Sequence, residues 1–252
     1  MSDTRPSVAA KRQAFHALHR SGCFIIPNPW DVGSARYLQG LGFPALATTS
    51  SGYAWSQGHP DNGVTRDAVL AHLREIVAAT EVPVNADFES GFGVDAAGVA
   101  ESVRLALETG IAGLSIEDST GDAAQPLFPQ DVAVERVRAA RRAIDGAGGD
   151  ALLVGRAECF LVGRPDLQET IARLRAYADA GADCLYAPGI RSREQIAAVV
   201  AAVAPKPVNL LIGAASDFTL ADTGRFDGFA GAAAGAELNG WFAEDLKKRE
   251  GR

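Results

Sequence analysis

The sequence predicts an α/β chain: a (β/α)8 TIM-type barrel with seven clear βα units and a degenerate or shortened eighth. Three observations carry that expectation. The 252 residues match the usual length of one such barrel, roughly 250. Short β-branched runs recur 22 to 39 residues apart, each followed by a polar loop and an alanine-rich amphipathic stretch. Polar residues close several different runs, at Asn28, Ser50, Asp87, Glu117, Arg156 and Asn209, and only a barrel brings all strand ends to one mouth.

The strands are expected at Cys23–Asn28, Ala45–Ser50, Val82–Asp87, Gly113–Asp118, Leu152–Glu158, Cys184–Pro188 and Pro207–Ile212. They are continuously apolar, as in a parallel sheet covered on both faces. Between the second and third, Val69, Leu73, Ile76 and Val77 recur at helical spacing. Asp166 with Glu169, and Ser192 with Gln195, have the spacing of capping boxes at two later helix starts. An eighth strand is expected at Phe226–Ala230, poor in β-branched residues, and a terminal helix at about 236–248. No linker divides the chain, so it reads as one domain over 1–252 with a short polar arm at 1–7. An open dinucleotide-binding sheet is disfavoured, because the first strand runs into Asn28-Pro29-Trp30-Asp31 and not into a glycine-rich turn.

Composition narrows the function. Hydrophobic residues make up 47% and charged residues 22%, enough for a packed core and too apolar for disorder. A net charge of −7 with scattered Lys and Arg excludes nucleic-acid and polybasic membrane partners, though not a small anionic substrate. No apolar run reaches the ~18 residues of a membrane span, and Met1 to Arg12 lack a signal peptide's apolar core. Cys23, Cys159 and Cys184 are few and far apart, which suits small buried hydrophobes in a reducing cytoplasm. A cytoplasmic location is expected.

The sharpest chemical signal is Asp87-Phe88-Glu89-Ser90-Gly91-Phe92-Gly93, followed one strand later by Ile116-Glu117-Asp118. Asp87 and Glu89 are two apart and share a side, and Glu117 or Asp118 adds a third acid. Clustered carboxylates repel unless a cation sits among them, and oxygen donors alone favour Mg²⁺ or Mn²⁺ over zinc. The plainer alternative is helix capping near Asp95. Arg156 closes an apolar strand, where it either pairs with Glu117 or Glu158 or meets a substrate anion with its two-pronged guanidinium. Thr48-Thr49-Ser50-Ser51-Gly52-Tyr53 offers hydroxyls and amides to an anionic oxygen, or is merely a hydroxyl-rich turn. His59 is the only histidine near the mouth; His16, His19 and His72 fall on helices and are expected in solvent. No serine sits in a GxSxG elbow, so a serine hydrolase is not supported.

These residues resemble the isocitrate lyase/phosphoenolpyruvate mutase superfamily. Asp87 to Gly93 is similar to its D-x-[DE]-[ST]-G-[YF]-G motif, and Asn28-Pro29-Trp30-Asp31, Ser51-Gly52, Ile116-Glu117-Asp118 and Gly155-Arg156-Ala157-Glu158-Cys159-Phe160 follow in the expected order. The resemblance covers about Phe15 to Thr219. It implies a barrel enzyme that uses Mg²⁺ to hold an α-keto acid and stabilise its enolate. By that resemblance Asp87 is the direct metal ligand, while Glu89 and Glu117, with Asp61 beyond them, hold the metal through its waters. Ser51, Gly52 and Tyr53 bind the keto-acid carboxylate, Arg156 binds the reacting or distal anion, and Asn209 lies near the substrate.

The departures are specific. The lyases carry a K-[KR]-C-G-H loop after the fourth strand, where this chain reads Ser119-Thr120-Gly121-Asp122-Ala123-Ala124-Gln125. Pro188 stands in place of their glutamate, Leu211 in place of their asparagine, and the mutases' catalytic lysine and asparagine are not evident. The expectation is therefore C–C cleavage of a small α-keto or α-hydroxy dicarboxylate, such as oxaloacetate decarboxylation, with the proton from water, Asp61 or His59. The alternatives are C–P mutase or hydrolase chemistry and a non-catalytic keto-acid-binding barrel. The family's tetramer exchanges its eighth helix between subunits; here the region between Leu220 and Gly224 is shorter by about one βα unit, which counts against a homo-oligomer of that kind.

Overall fold

The computed structural model describes residues 5–213 and the backbone of 229–234. Its elements run α1 (Val8–Leu18), α2 (Val32–Gly40), β1 (Leu46–Ala47), α3 (Ser50–Ser56), α4 (Arg66–Ala79), β2 (Val84–Asp87), α5 (Ala96–Leu107) and β3 (Gly113–Glu117). They continue with α6 (Gln130–Gly146), β4 (Leu152–Arg156), α7 (Leu167–Asp179), β5 (Cys184–Tyr186), α8 (Arg193–Val203), β6 (Val208–Ile212) and β7 (Phe229–Ala234). The strands form one sheet in the order β1 to β7, every neighbouring pair parallel. This is the α/β alternation that the sequence predicts. Among the described residues the sheet does not close into a barrel.

Two expected strands need correction. Cys23–Asn28 lies beside β1 but forms no ladder, only an isolated bridge at Ile25. Pro27 and Pro29 have no N–H to give to a neighbouring strand, and beside β1 Ala47 N donates to Pro27 O at 3.0 Å. The Asn28 side chain supplies the missing donor, reaching Ala47 O at 3.0 Å. The last described strand runs Phe229–Ala234, sharing Phe229 and Ala230 with the expected Phe226–Ala230, whose first three residues lie outside the described residues, and pairs with β6 across a register shift between Val208 and Leu210. Its run of Gly and Ala has no β-branched residue to mark its ends. The expected helix at about 236–248 lies outside the described residues.

Helix ends follow their side chains. Ser192 and Gln195 form a reciprocal capping box on α8, whereas Asp166 caps α7 alone and Glu169 turns to Arg164 and Arg173. Ser50, expected to end a strand, instead opens α3 behind the Thr49 cap. Among the described residues no helix is long and apolar enough to cross a membrane.

The main core lies between the sheet and helices α4 to α8. A second cluster fills the inner side, where Phe15 of α1 packs with Phe24, Ile26, Leu152, Val154, Cys184 and Tyr186. Helix α1 is fixed across the N-terminal ends of the strands by two buried cations. Lys11 Nζ donates to Thr80 O at 2.5 Å, and Arg12 reaches Ile111 O at 2.9 Å, Leu107 O at 3.1 Å and Asp150 Oδ1 at 2.7 Å. The opposite, C-terminal edge stays open.

Behind that edge Asp118 is a structural hub. Its Oδ1 accepts from the Glu158 amide at 2.8 Å, and its Oδ2 accepts from Tyr177 Oη at 2.6 Å and Arg173 Nη1 at 3.1 Å. Removing one partner of a buried ion pair strands the other, at a cost of roughly 3–5 kcal/mol. Asp118→Ala is therefore expected to lose about that much stability in denaturant unfolding.

Two histidines expected in solvent are packed instead. His72 stacks on Tyr53 with centroids 4.0 Å apart, and His19 packs edge-on against Phe15 and Phe24. Burial pushes both down from 6.5 to about 4. The unfolded chain therefore takes up these protons near pH 6.5 while the native protein refuses them until about 4. Stability is expected to fall as pH drops through that window and to level below it, with a shallower slope in His72→Phe, read from thermal midpoints.

Candidate active site

The C-terminal ends of the strands surround a cavity of about 520 Å³. The parallel register explains the composition of its wall. Asp87 on β2 is level with Ser115 on β3, and Glu117, Arg156, Tyr186 and Asn209 form one row across β3 to β6. Side chains level across parallel strands share a face, so one row delivers an acid, a base, a phenol and an amide to the same space.

Arg156 is at its centre. Nη1 lies 3.2 Å from Asp87 Oδ1 and 3.3 Å from Glu117 Oε2, and Nε lies 2.5 Å from Glu158 Oε1. The guanidinium carbon is 5.2 Å from the Tyr186 ring centre. Burial works against its charge, but Glu117, Glu158 and Asp87 outweigh it and hold the group firmly protonated. The pairing alternative is thus what the structure displays, and the whole cluster faces the cavity.

The acids outnumber this cation. Burial raises Glu117 well above the usual carboxylate range against the pull of Arg156, and raises Glu158 likewise. Glu89 is pushed up to about 8 by burial and then by Asp87 and Asp61. Its Oε1 is buried with no hydrogen-bond partner. Asp87 is held from both sides: Oδ1 meets Arg156, and Oδ2 accepts from Ser50 N at 3.0 Å and Ser50 Oγ at 2.9 Å.

Glu89 sits in a strained loop. Its φ is +47° and that of Phe92 is +54°, in the region that disfavours side-chain-bearing residues. At Gly93 a Cβ would collide with Val99 N at 2.2 Å, which the close approach of α5 forbids. Arg136 from α6 gathers the loop: Nη2 donates to Ser90 O at 2.8 Å and Gly93 O at 2.7 Å, with the guanidinium over Phe128. Glu117 N donates to Glu89 O at 3.0 Å, tying the loop to β3.

Of the residues singled out in the sequence, Asp87, Glu117, Arg156, Ser51, Asn209 and the exposed Asp61 line this cavity. Glu89 stands beside it, within electrostatic reach of Asp87 and Asp61. Gly52 and Tyr53 do not line it. The Tyr53 ring turns to His72, and its hydroxyl donates to Ala68 O at 3.3 Å. Gly52 is small because Thr49 and Trp30 crowd it, a Cβ meeting Thr49 Cγ2 at 2.6 Å. Their amides are engaged within α3, Gly52 N with Thr49 Oγ1 and Tyr53 N with Thr49 O. His59 is exposed and outside the lining. Asp118, the alternative third acid, is spent on its hub. Ser50, read from the sequence as a strand end in a hydroxyl-rich stretch, lines the cavity too; Asn85 and Ser115 do so without having been singled out, although Asn85 lies two residues before Asp87 and period-two alternation places it on the same side.

The loop after β3 is closed on itself. Ser119 bridges to Leu127, and Thr120 Oγ1 donates to Gln125 O at 2.5 Å. It presents neither cysteine, lysine nor histidine.

A parallel sheet thus carries several acids and one arginine at its C-terminal edge. The sequence profile of the phosphoenolpyruvate phosphomutase family matches residues 15–229, and the chain belongs to that family. A solved structure of a candidate lyase/mutase from Burkholderia cenocepacia J2315 is 48% identical, with a TM-score of 0.89 over 95% of this chain and 87% of that one. The oxaloacetate decarboxylase of Bradyrhizobium sp. (strain ORS 278) is 32% identical over 201 residues, 76% of this chain and 68% of the relative. A phosphonopyruvate hydrolase in complex with oxalate and Mg²⁺ is 25% identical, with a TM-score of 0.84 over 94% of this chain and 84% of that one. The resemblance drawn from the motifs therefore holds.

Arg136→Met removes the guanidinium that gathers the strained loop. Faster amide hydrogen exchange across residues 88–95 is expected, measured by mass spectrometry, with the exchange of β4 and β5 unchanged.

Proposed function

We propose that this chain is a Mg²⁺-dependent (or Mn²⁺-dependent) enzyme that cleaves a C–C bond in a small α-keto or α-hydroxy dicarboxylate, oxaloacetate decarboxylation being the simplest case. The observation that carries the reading is the excess of buried carboxylates, Asp87, Glu89, Glu117 and Glu158, over a single cation, Arg156. Such a cluster is stable only with more positive charge or with protons taken up.

The donor set fits a hard divalent cation: every donor is oxygen, and Glu89 Oε1 is buried and unpartnered. Among the described residues no three acids already form a ready-made ligand set. In this reading Asp87 is the one direct ligand, with water-mediated support from Glu89, Glu117 and Asp61, since Mg²⁺ keeps several waters. When bound, the ion polarises the keto oxygen and stabilises the enolate charge, worth several kcal/mol.

The chain's own residues do the rest. Ser50 fixes the Asp87 carboxylate from its amide and hydroxyl. Ser51 offers its hydroxyl to the substrate carboxylate, and Arg156 faces the distal anion with its charge maintained by its neighbours. In decarboxylation the C3–C4 bond of oxaloacetate breaks, CO₂ leaves, and the electron pair moves through C2 to the keto oxygen. C3 then takes a proton from water or from Asp61 at the rim, His59 standing further out. The self-bonded loop after β3 is outside this proton path. A closed barrel belongs to the same reading, with Cys23–Asn28 and the unit around β7 completing the wall.

Calorimetric titration of oxalate, planar and dianionic like the pyruvate enolate, tests the site directly. Binding is expected only with Mg²⁺, weakened roughly 100-fold by Asp87→Ala and about 10-fold by Ser50→Ala. No binding by the folded protein would overturn the enzyme reading and leave a keto-acid-binding scaffold unsupported as well. Pyruvate release from oxaloacetate, with no change in the phosphorus-31 spectrum of phosphonopyruvate, separates C–C from C–P chemistry.

A further inference from the structure

The inside of the cavity is polar where the centre of a barrel-type sheet is normally filled by branched apolar side chains. Asn85 of β2 lies two residues before Asp87 on the same side of the strand. Asn209 of β6 stands in the row of Arg156 and Tyr186. Both line the cavity, and the Oδ1 atoms of both are buried without a hydrogen-bond partner. Asn85 is only 8% exposed. Ser115 beside them has a single long bond, 3.4 Å to Ala86 O. Buried amides without partners are rare in folded proteins, because each forfeits hydration for nothing.

The register neighbour of Asn85 on β3 is Gly113, where a Cβ would lie 2.8 Å from Leu152 O, 2.9 Å from Asn85 Oδ1 and 2.9 Å from the Phe15 ring, so this part of the wall carries no side chain.

We propose that Asn85 and Asn209 form a second subsite of the cavity that accepts a neutral hydroxyl of the ligand. It rests on the reading of the cavity as the keto-acid site and names a further feature of its substrate: a hydroxyl beyond the one at the metal. Two unpartnered acceptor oxygens call for a donor. An anion does not fit, because both amide oxygens accept and an anion has no proton to give them. An ammonium group is better served by Asp87 and Glu117 in the same lining than by two neutral amides. An O–H group donates to one amide oxygen at the lowest desolvation cost, and a bound water serves the other.

The test compares malate and tartrate, which differ by one hydroxyl, in calorimetric titrations with Mg²⁺ present and oxalate as control. The wild-type protein is expected to bind one tartrate stereoisomer at least tenfold more tightly than malate. Asn85→Leu is expected to reduce that preference to within threefold, to leave oxalate affinity unchanged, and to melt no lower than wild type. Asn85→Ala gives the same readout without added bulk. A wild type without the preference, or a preference that survives both variants, overturns the subsite. A crystal structure of the free protein reads the site without metal: an ordered water on each amide oxygen supports it, and protein groups bonded there overturn it. Oxalate binding without tartrate preference sinks the subsite alone. Absent oxalate binding sinks the enzyme reading, and with it the ligand on which the subsite rests.

Discussion

Arg156 holds the ends of three strands together. Its guanidinium touches Asp87 from β2, Glu117 from β3 and Glu158 just beyond β4, and lies against the ring of Tyr186 from β5. Removing an arginine from water costs several kcal/mol, and so does removing each carboxylate. These costs are shared in part, since one fork-shaped cation meets three acids at once, which a lysine's point charge would do poorly, while burial raises the proton affinity of Glu117 and Glu158. The parallel register makes this possible, since Glu117 and Arg156 are direct neighbours in the ladder.

That arrangement depends on support from behind. Asp118 receives the Glu158 amide, fixing the turn that follows Arg156, and is itself held by Tyr177 and Arg173 of α7. On the other flank, Arg136 of α6 collects the carbonyls of a loop whose Glu89 and Phe92 have unfavourable φ values. A strained loop carrying a partnerless buried acid is not the lowest-energy arrangement of that segment alone. The surrounding helices impose it, as expected where geometry serves chemistry. Lys11 and Arg12 perform a purely mechanical role at the opposite end, keeping α1 under the sheet and away from the open edge.

The sequence made the middle of the fold legible, because β2 to β6 announce themselves by apolar runs and their helices by period and caps. It was least legible at the two seams. Pro27 and Pro29 interrupt a run that otherwise reads as a strand, and the Gly-Ala stretch near 229–234 has no side chains to mark its limits. The acids and Arg156 were readable since charged groups ending buried strands are costly without purpose. Tyr53 and His72 were not, because their stack joins α3 to α4 across a turn whose geometry no periodicity encodes. Gly52 was misleading for a related reason: its small size answers to Thr49 and Trp30, not to a ligand. Asn85 was within reach, but alternation gives a residue's side and not whether its amide finds a partner.

The loop after β3 bears on how such a site divides its labour. Ser119 to Leu127 spends its polar groups on its own backbone. A segment so bonded gains little by approaching the cavity, and Thr120 and Asp122 would have to break local hydrogen bonds to act. In the proposed decarboxylation, proton delivery falls to groups at the water boundary, where Asp61 is exposed beside a buried acid cluster. A reaction whose leaving group departs as a gas needs a proton only after the bond has broken, so water at the rim suffices. A retro-aldol cleavage must also remove the proton of a hydroxyl, a demand that decarboxylation does not make. The self-closed loop therefore favours chemistry in which the electron pair is stabilised early and protonated late.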